Sequence, residues 1–342
     1  MIRKNNLGTH PVRFPSLPGI ASWAAVAGKK ESAGPLGKYF DETYPDTTLS
    51  QKTWEQAESA MQSRALGIAL EKAKLDQKSL DRIYAGDLLN QCISSSFAHK
   101  ATGIPYLGLY GACSTMAQGL GLGAMTVDGG YGENIAVITS SHFCSAERQY
   151  RMPLEYGGQR PPSAQWTCTA SGCAILTPKS DGPCICSATW GHIVDAGVTD
   201  ANNMGAAMAP AAFDTLTALF TDTSTSPDSF DLILTGDLGA LGSKILRDLC
   251  AQKGIALGEN YFDCGELIFS PSQDTHCGGS GCGCSAAVLC GKILDEVRAG
   301  RYKRVIFAGT GALHSPTEIQ QGSSIPGICH AVVICGEREC AL

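Results

Sequence analysis

The sequence predicts an α/β protein of two duplicated halves stacked as five αβαβα layers. Three observations point to it. The motif D-x-I-x-x-G-D-L occurs twice, as Asp81-Arg-Ile-Tyr-Ala-Gly-Asp-Leu88 and Asp231-Leu-Ile-Leu-Thr-Gly-Asp-Leu238, 150 residues apart. Downstream of each copy a cysteine opens a small-residue helix, and a histidine follows the next strand: Cys113 then His142, and Cys284 then His314, 29 and 30 residues later. Short β-branched runs alternate with helical patterns throughout, which implies a mainly parallel sheet covered on both faces.

The elements follow in order. Residues 51–74 place Trp54, Ala57, Met61, Leu66 and Leu70 near helical spacing, and residues 81–88 read as a short buried strand. Tyr106-Leu-Gly-Leu-Tyr110 is a strand, Gly111-Ala112 a sharp turn and Cys113-Ser-Thr-Met a helix start. Ile135-Ala-Val-Ile-Thr139 is the next strand, and Ser140, Ser141 and His142 end it. A polar loop then carries Glu147, Arg148, Tyr150, Arg151 and Glu155. The halves, 1–180 and 181–342, meet near Pro178-Lys-Ser-Asp-Gly-Pro183. In the second half, residues 243–253 take the part of the first long helix, Cys284-Ser285 opens the counterpart of the Cys113 helix, and Val305-Ile-Phe-Ala308 is the last strand before His314.

Composition narrows the function. The 342 residues carry a net charge of −6, 17% charged and 44% hydrophobic side chains, with no Lys/Arg run. That excludes a disordered chain and gives no footprint for nucleic acid. The N-terminus is broken by Pro11, Pro15 and Pro18, so no secretory signal is read there. The uncharged stretch 101–127 contains Pro105 and several glycines, and reads as buried core in a soluble protein. Without export, the 16 cysteines are expected to be thiols, packed as small hydrophobes. The group Cys277, Cys282, Cys284 and Cys290 lacks paired zinc-knuckle spacing, so no metal is expected.

Ligands of open α/β sheets sit beyond the carboxyl ends of strands, where Asp87, Cys113 and His142 fall. Cys113, at a helix start, is expected to have a lowered pKa and to suit an anion. Arg148 and Arg151, three residues apart, fit a carboxylate-rich ligand if they share a helical face. For Asp237 the expectation is strand-end hydrogen bonding to a neighbouring loop's backbone. Gly119-Leu-Gly-Leu-Gly123 lies within a helix and lacks the context of a dinucleotide fingerprint.

The duplicated halves and Gly111-Ala-Cys113-Ser resemble the thiolase superfamily, which includes the ketoacyl synthases. Longer stretches narrow this: Gly34-Pro-Leu-Gly37, Ala85-Gly-Asp-Leu-Leu-Asn-Gln91, Ala146-Glu-Arg-Gln149, Glu155-Tyr-Gly-Gly-Gln159, Met208-Ala-Pro-Ala-Ala212, Gly278-Gly-Ser-Gly-Cys282 and Thr310-Gly-Ala-Leu313 resemble the stage V sporulation protein AD family over residues 28–333. The resemblance implies a thiolase-like fold and a dipicolinate binder that assists calcium dipicolinate uptake into the spore. It implies a site of Cys113 with Asp87, Asn90, Ser140, Ser141 and His142; Arg148 and Arg151 are added on chemical grounds. It also implies a homodimer, located in the forespore and held at the inner membrane through other transport proteins of the same system. No cofactor is expected beyond Ca²⁺ carried with the ligand. Condensing enzymes need second-half groups for proton transfer, yet no His-x-x-Asn stands there and Gly283-Cys284-Ser285 replaces the Asn-Thr-Ser-like segment. A non-catalytic binder is therefore expected, the alternative being an acyltransferase that uses Cys113 as thioester nucleophile with His276 or His314 as partner.

Overall fold

The structure, a computed structural model, describes residues 9–150 and 160–336. Its strands in chain order are β1 (Pro11–Arg13), β2 (Gly19–Ala27), β3 (Glu42–Thr43), β4 (Arg82–Gly86), β5 (Tyr106–Gly108), β6 (Ile135–Ser141), β7 (Trp166–Thr167), β8 (Ala170–Thr177), β9 (Cys184–Thr189), β10 (Leu232–Thr235), β11 (Tyr261–Asp263), β12 (Gly279–Ser280), β13 (Arg304–Ala312) and β14 (Gly327–Cys335). The helices are α1 (Lys29–Ser32), α2 (Trp54–Ala73), α3 (Ile93–His99), α4 (Thr115–Asp128), α5 (Phe143–Tyr150), α6 (Met204–Thr223), α7 (Gly239–Gln252), α8 (Cys264–Ile268), α9 (Cys282–Val288), α10 (Leu294–Arg298) and α11 (Pro316–Gln320).

The two halves have the same topology. Across the first half the strands run β5-β4-β6-β8-β2, and across the second β11-β10-β13-β14-β9. Numbered along the chain within each half, both read 3-2-4-5-1. In each, the fifth strand is antiparallel to its neighbours while the other four share one direction, so the expected parallel sheet carries one reversed strand per half. The half-sheets touch at the Gly19–Cys184 pair, and β1 lies against β9.

The repeated motif explains the register. Asp81, just before β4, accepts the backbone N–H groups of Glu133 and Asn134 at 2.7 and 3.0 Å, which fixes the entry to β6. Asp231, just before β10, does the same for Lys303 and Arg304 at 2.6 and 2.9 Å and fixes the entry to β13. Each motif follows a 20-residue helix that ends in a left-handed residue, Lys74 after α2 and Ser224 after α6, both at φ 55° and ψ 37°. The counterpart of α2 is therefore α6, and not residues 243–253, which belong to α7. Pro210 and Gly205 inside α6 disguise it as a breaker-rich segment.

Layering comes from what each helix touches. Helices α2 and α6 cover the outer faces of their own half-sheets. Helices α4 and α9 lie between them: α4 packs on β4, β6 and β8 of its own half and on β9, β13 and β14 of the other, and α9 packs on β2, β6 and β8 and reaches β13. This is the five-layer α/β arrangement. Helix α9 continues through a π-helical turn at Leu289–Ile293 into α10. Most of the described cysteines are buried thiols as expected, with one correction: Cys186 of β9 and Cys335 of β14 are paired as a disulfide.

A buried helix between two sheets leaves no room for extra atoms. A Cβ at Gly172 of β8 would stand 2.6 Å from the backbone oxygen of Ala286 in α9. Neither group is the end of a flexible side chain, so two main chains would have to part. Gly172→Ala is expected to cost about 1–3 kcal/mol, read as a lower urea midpoint at unchanged slope.

Candidate functional site

Cys113 sits on a strained turn between β5 and α4. Ala112 has φ 48°, a left-handed conformation that costs an L-residue about 1 kcal/mol. Ser114 closes the turn by donating its backbone N–H (3.0 Å) and hydroxyl (2.7 Å) to the Gly111 carbonyl. The turn rests on β13 only because Gly311 has no side chain: a Cβ there would lie 2.5 Å from the Gly111 oxygen. Helix α4 starts at Thr115, so Cys113 precedes it by two residues.

The thiol, 8% exposed, faces a cavity of about 50 Å³. Its wall is formed by Leu88, Tyr110, Ala112, Ala146, Tyr150 and Thr167 of the first half and Met204, Met208, Ser280, Ala312 and His314 of the second. Tyr110 and Tyr150 join hydroxyls at 3.1 Å, Tyr150 also donates to the Leu88 carbonyl, and the His314 ring lies 5.0 Å from that of Tyr150.

Electrostatics contradict the expected low pKa. Burial and the neighbouring Asp237 carboxylate push the Cys113 thiol well above its ordinary value, and the Gly281 N–H opposes this only weakly. Asp237 ends the second motif copy. It accepts from the Gly281 N–H at 2.7 Å, the Ser280 hydroxyl at 3.2 Å and the Thr310 hydroxyl at 2.9 Å. The expected bond to a neighbouring backbone is there, next to Ser280 of the cavity wall, although Asp237 itself does not line the cavity. The second-half cysteine packed with Cys113 is Cys282, since α9 begins there; Cys284 lies elsewhere, beside Gly279 with Cys168.

Of the other residues expected at the site, none of those described lines this cavity. Asp87 is buried and accepts from the Leu89 N–H and from the N–H and hydroxyl of Ser95. Ser140 donates to Glu58 at 2.9 Å, Ser141 to the Cys168 carbonyl at 2.7 Å, and the His142 ring meets the Thr47 carbonyl at 2.7 Å. Asn90 is exposed, with its backbone N–H on Gln149. The segment after His142 is a helix, α5, rather than a loop. On it Arg148 turns outward to Glu55 and to the Trp54 ring, so it does not reach the Cys113 cavity. Arg151, with Glu155 and Gln159, lies outside the described residues. The wall residues passed over had one signal: Met208 and Ser280 fall inside the family-like motifs. For Thr167 there was none.

Behind the cavity floor a polar network joins the first-half residues. Gln62 donates to the hydroxyls of Ser95 (2.8 Å) and Ser140 (2.7 Å) and meets the His99 ring at 3.2 Å. Glu58 accepts from Ser140 and Ser145. Burial, reinforced by Asp87, pushes Glu58 up to about 8. Burial likewise lifts Glu31 and Asp263 to about 7, with the Asp237 charge adding to the rise at Asp263. Among the described residues no group of three or more His, Cys, Asp or Glu is placed to hold a metal. No helix among them is long and apolar enough to cross a membrane.

The strained cysteine turn at a strand end between two duplicated half-sheets defines a protein of the thiolase-like fold. Solved structures agree: 3-oxoacyl-[acyl-carrier-protein] synthase III from Aquifex aeolicus matches with TM-score 0.56 at 13% identity, over 93% of this chain and 99% of that one. A form of OleA from Xanthomonas campestris matches with TM-score 0.60 at 14% identity, over 94% and 99%. The family model for stage V sporulation protein AD matches residues 8–335, and the stage V sporulation protein AD of Bacillus subtilis (strain 168) is 44% identical over 314 residues, 92% of this chain and 93% of that one. The chain belongs to the stage V sporulation protein AD family.

The buried acids set a pH dependence. A carboxyl whose folded pKa lies above its unfolded value stabilises the fold fully below the unfolded value, and that contribution is lost as pH rises through the folded one. Urea stability is therefore expected to fall between about pH 5 and pH 8 and then to level. In Glu58→Gln the loss should shrink by about 1–3 kcal/mol, measured as the difference between urea unfolding at pH 5.5 and pH 8.5; an undiminished loss would exclude Glu58 as its source.

Proposed function

We propose that this sporulation protein binds dipicolinate in the Cys113 cavity without turning it over, and assists the uptake of calcium dipicolinate into the forespore through partner proteins at the membrane. The observation that carries the reading is the environment of Cys113. The thiol is buried against the Asp237 carboxylate, which opposes the thiolate an acyl transfer needs. The ring-lined wall of Tyr110, Tyr150 and His314 suits a small planar aromatic. Calcium enters as part of the cargo.

Calorimetric titration with dipicolinate, with and without Ca²⁺, tests this. Heat of binding is expected for the wild type, and Tyr150→Ala should weaken binding by about tenfold through loss of ring contact. Cys113→Ala, which alters the floor, should weaken it as well. Arg148→Ala should leave it unchanged, because that side chain is held by Glu55. No heat with the wild type, together with release of CoA from an acyl-CoA, would favour the acyltransferase instead.

A second copy is the partner the open sheet edge fits best. Among the described residues strand β5 pairs only with β4, and beside its free edge Phe97, Leu107 and Tyr110 are 53%, 41% and 44% exposed. Since Tyr110 also lines the cavity, a copy paired there would abut the site. Leu107→Asp is expected to shift sedimentation from dimer to monomer; an unshifted dimer would move the interface elsewhere.

A further inference from the structure

A second cavity, of about 310 Å³, uses the same α5 and β7 as the Cys113 cavity yet shares no lining residue with it. Phe143, Cys144 and Trp166 line this one, where Ala146, Tyr150 and Thr167 line the other. Thr169 ties its walls together. The Thr169 N–H donates to Glu31 Oε1 at 3.0 Å, its carbonyl accepts the Gly28 N–H at 2.7 Å, and its hydroxyl accepts the Phe143 N–H at 3.1 Å. The rings of Phe143 and Trp166 stack with centroids 3.9 Å apart, 10° from parallel.

Glu31 is the anomaly in this cavity. It is 1% exposed, and its Oε2 meets no hydrogen-bond partner among the described residues. A carboxyl oxygen so buried is costly until a donor reaches it. Gly28 leaves the approach open: it lines the cavity too, and a Cβ there would stand 3.0 Å from Oε2. Lys30, the neighbour in sequence, does not take the place. Its ammonium donates to the Gln273 carbonyl at 2.7 Å and lies 4.1 Å over the Trp166 ring. We propose that this cavity is a second ligand site, for a small organic ammonium with an aromatic or apolar body, whose head pairs with Glu31 while the body lies along Phe143 and Trp166. The site is independent of whatever the Cys113 cavity takes.

The surrounding charges permit this. Asp46, after β3, is exposed at the same cavity and attracts a cation, whereas Lys29 and Lys30 of α1 oppose one, Lys30 from a position already fixed by Gln273. Arg160 lies on the Trp166 indole, 5.0 Å from its centroid. The thiols of Cys144 in α5 and Cys168 before β8 are raised by burial and stay uncharged near neutrality. Burial pushes Glu31 up to about 7, with the Thr169 N–H and the Lys30 charge opposing the rise. An ammonium pairs with the ionised form, so its affinity grows as pH rises through that value.

Calorimetric titration of the full-length protein with 2-phenylethylamine, and with 2-phenylethanol as its uncharged counterpart, tests the proposal. At pH 8 the amine should bind at least about tenfold more tightly than the alcohol. Because Glu31 is mostly ionised at pH 8 and mostly protonated at pH 6, amine affinity should drop about tenfold between them, with about one proton released per amine bound at pH 6. Glu31→Gln keeps an oxygen for the Thr169 N–H; it should bind the amine about tenfold more weakly and without this pH dependence. Gly28→Ala, at φ −81°, sets an unstrained methyl over Oε2 and should weaken binding as well. Tyr150→Ala, on the wall of the other cavity, should leave amine binding unchanged. The proposal is overturned by a wild type that gives no heat with millimolar amine, by equal affinity for the alcohol, by a flat wild-type pH profile or by undiminished binding in Glu31→Gln. Loss of binding in Tyr150→Ala would also overturn it, by placing the amine in the Cys113 cavity. If Glu31→Gln does not fold, the wild-type pH profile and Gly28→Ala decide.

Discussion

Two helices have to fit between two sheets, and much of this molecule follows from that. A helix packed on both sides has no polar face, so its residues must be apolar all round and small enough for strands to approach. Helix α4 meets this with Gly119, Gly121 and Gly123; a Cβ at Gly119 would lie 2.6 Å from a Val137 methyl and one at Gly123 2.7 Å from a Leu176 methyl. Helix α9 meets it with Cys282, Gly283, Cys284, Ser285 and two alanines, all buried. Part of the chain's glycine content and its abundance of cysteine share this cause. Cysteine here is a side chain slightly larger than alanine that carries no buried polar debt.

The same tightness decides where charge can go. A buried carboxylate is tolerated only when its oxygens are met by donors. Asp237, Asp263 and Asp87 each satisfy this at a strand end, where backbone N–H groups of the following turn are unspent. Glu58 is met by hydroxyls alone, and burial then raises it to about 8. The strand ends thus supply the fold's polar joints, and in the first half Leu88 of the same G-D-L motif also lines the cavity.

Duplication, layer order and the position of Cys113 were legible in the sequence because they rest on local signals: a repeated octapeptide, a strand followed by a Gly-Ala turn, and helical spacing. The helix equivalent to α2 was not, because Pro210 and Gly205 override the period within α6. The site was legible only at its centre. Residues next in sequence to a strand end, such as Ser140, Ser141 and His142, look exposed to a ligand, yet a side chain there has two faces to choose from, and these chose the core. Arg148 read as a ligand group on charge alone, but Glu55 lies across from it on α2, a neighbour that no local pattern reveals. The wall residues Tyr150, Thr167, Met204 and His314 come from four separated segments, so only the folded chain brings them together.

The strain at Ala112 is held in place by the turn's own surroundings. A left-handed alanine is a standing cost, and it persists only where the surroundings over-determine it. Here they do so without any reacting group. Ser114 ties the turn to Gly111, Thr115 donates its hydroxyl to Ala112 and accepts the Gly111 N–H, and β13 presses from below at Gly311. The turn is thus held by its own hydrogen bonds and by the seam between the halves. The same turn brings Cys113 to the cavity wall, where it packs with Leu88 and Ala146 of the first half and Cys282 of the second.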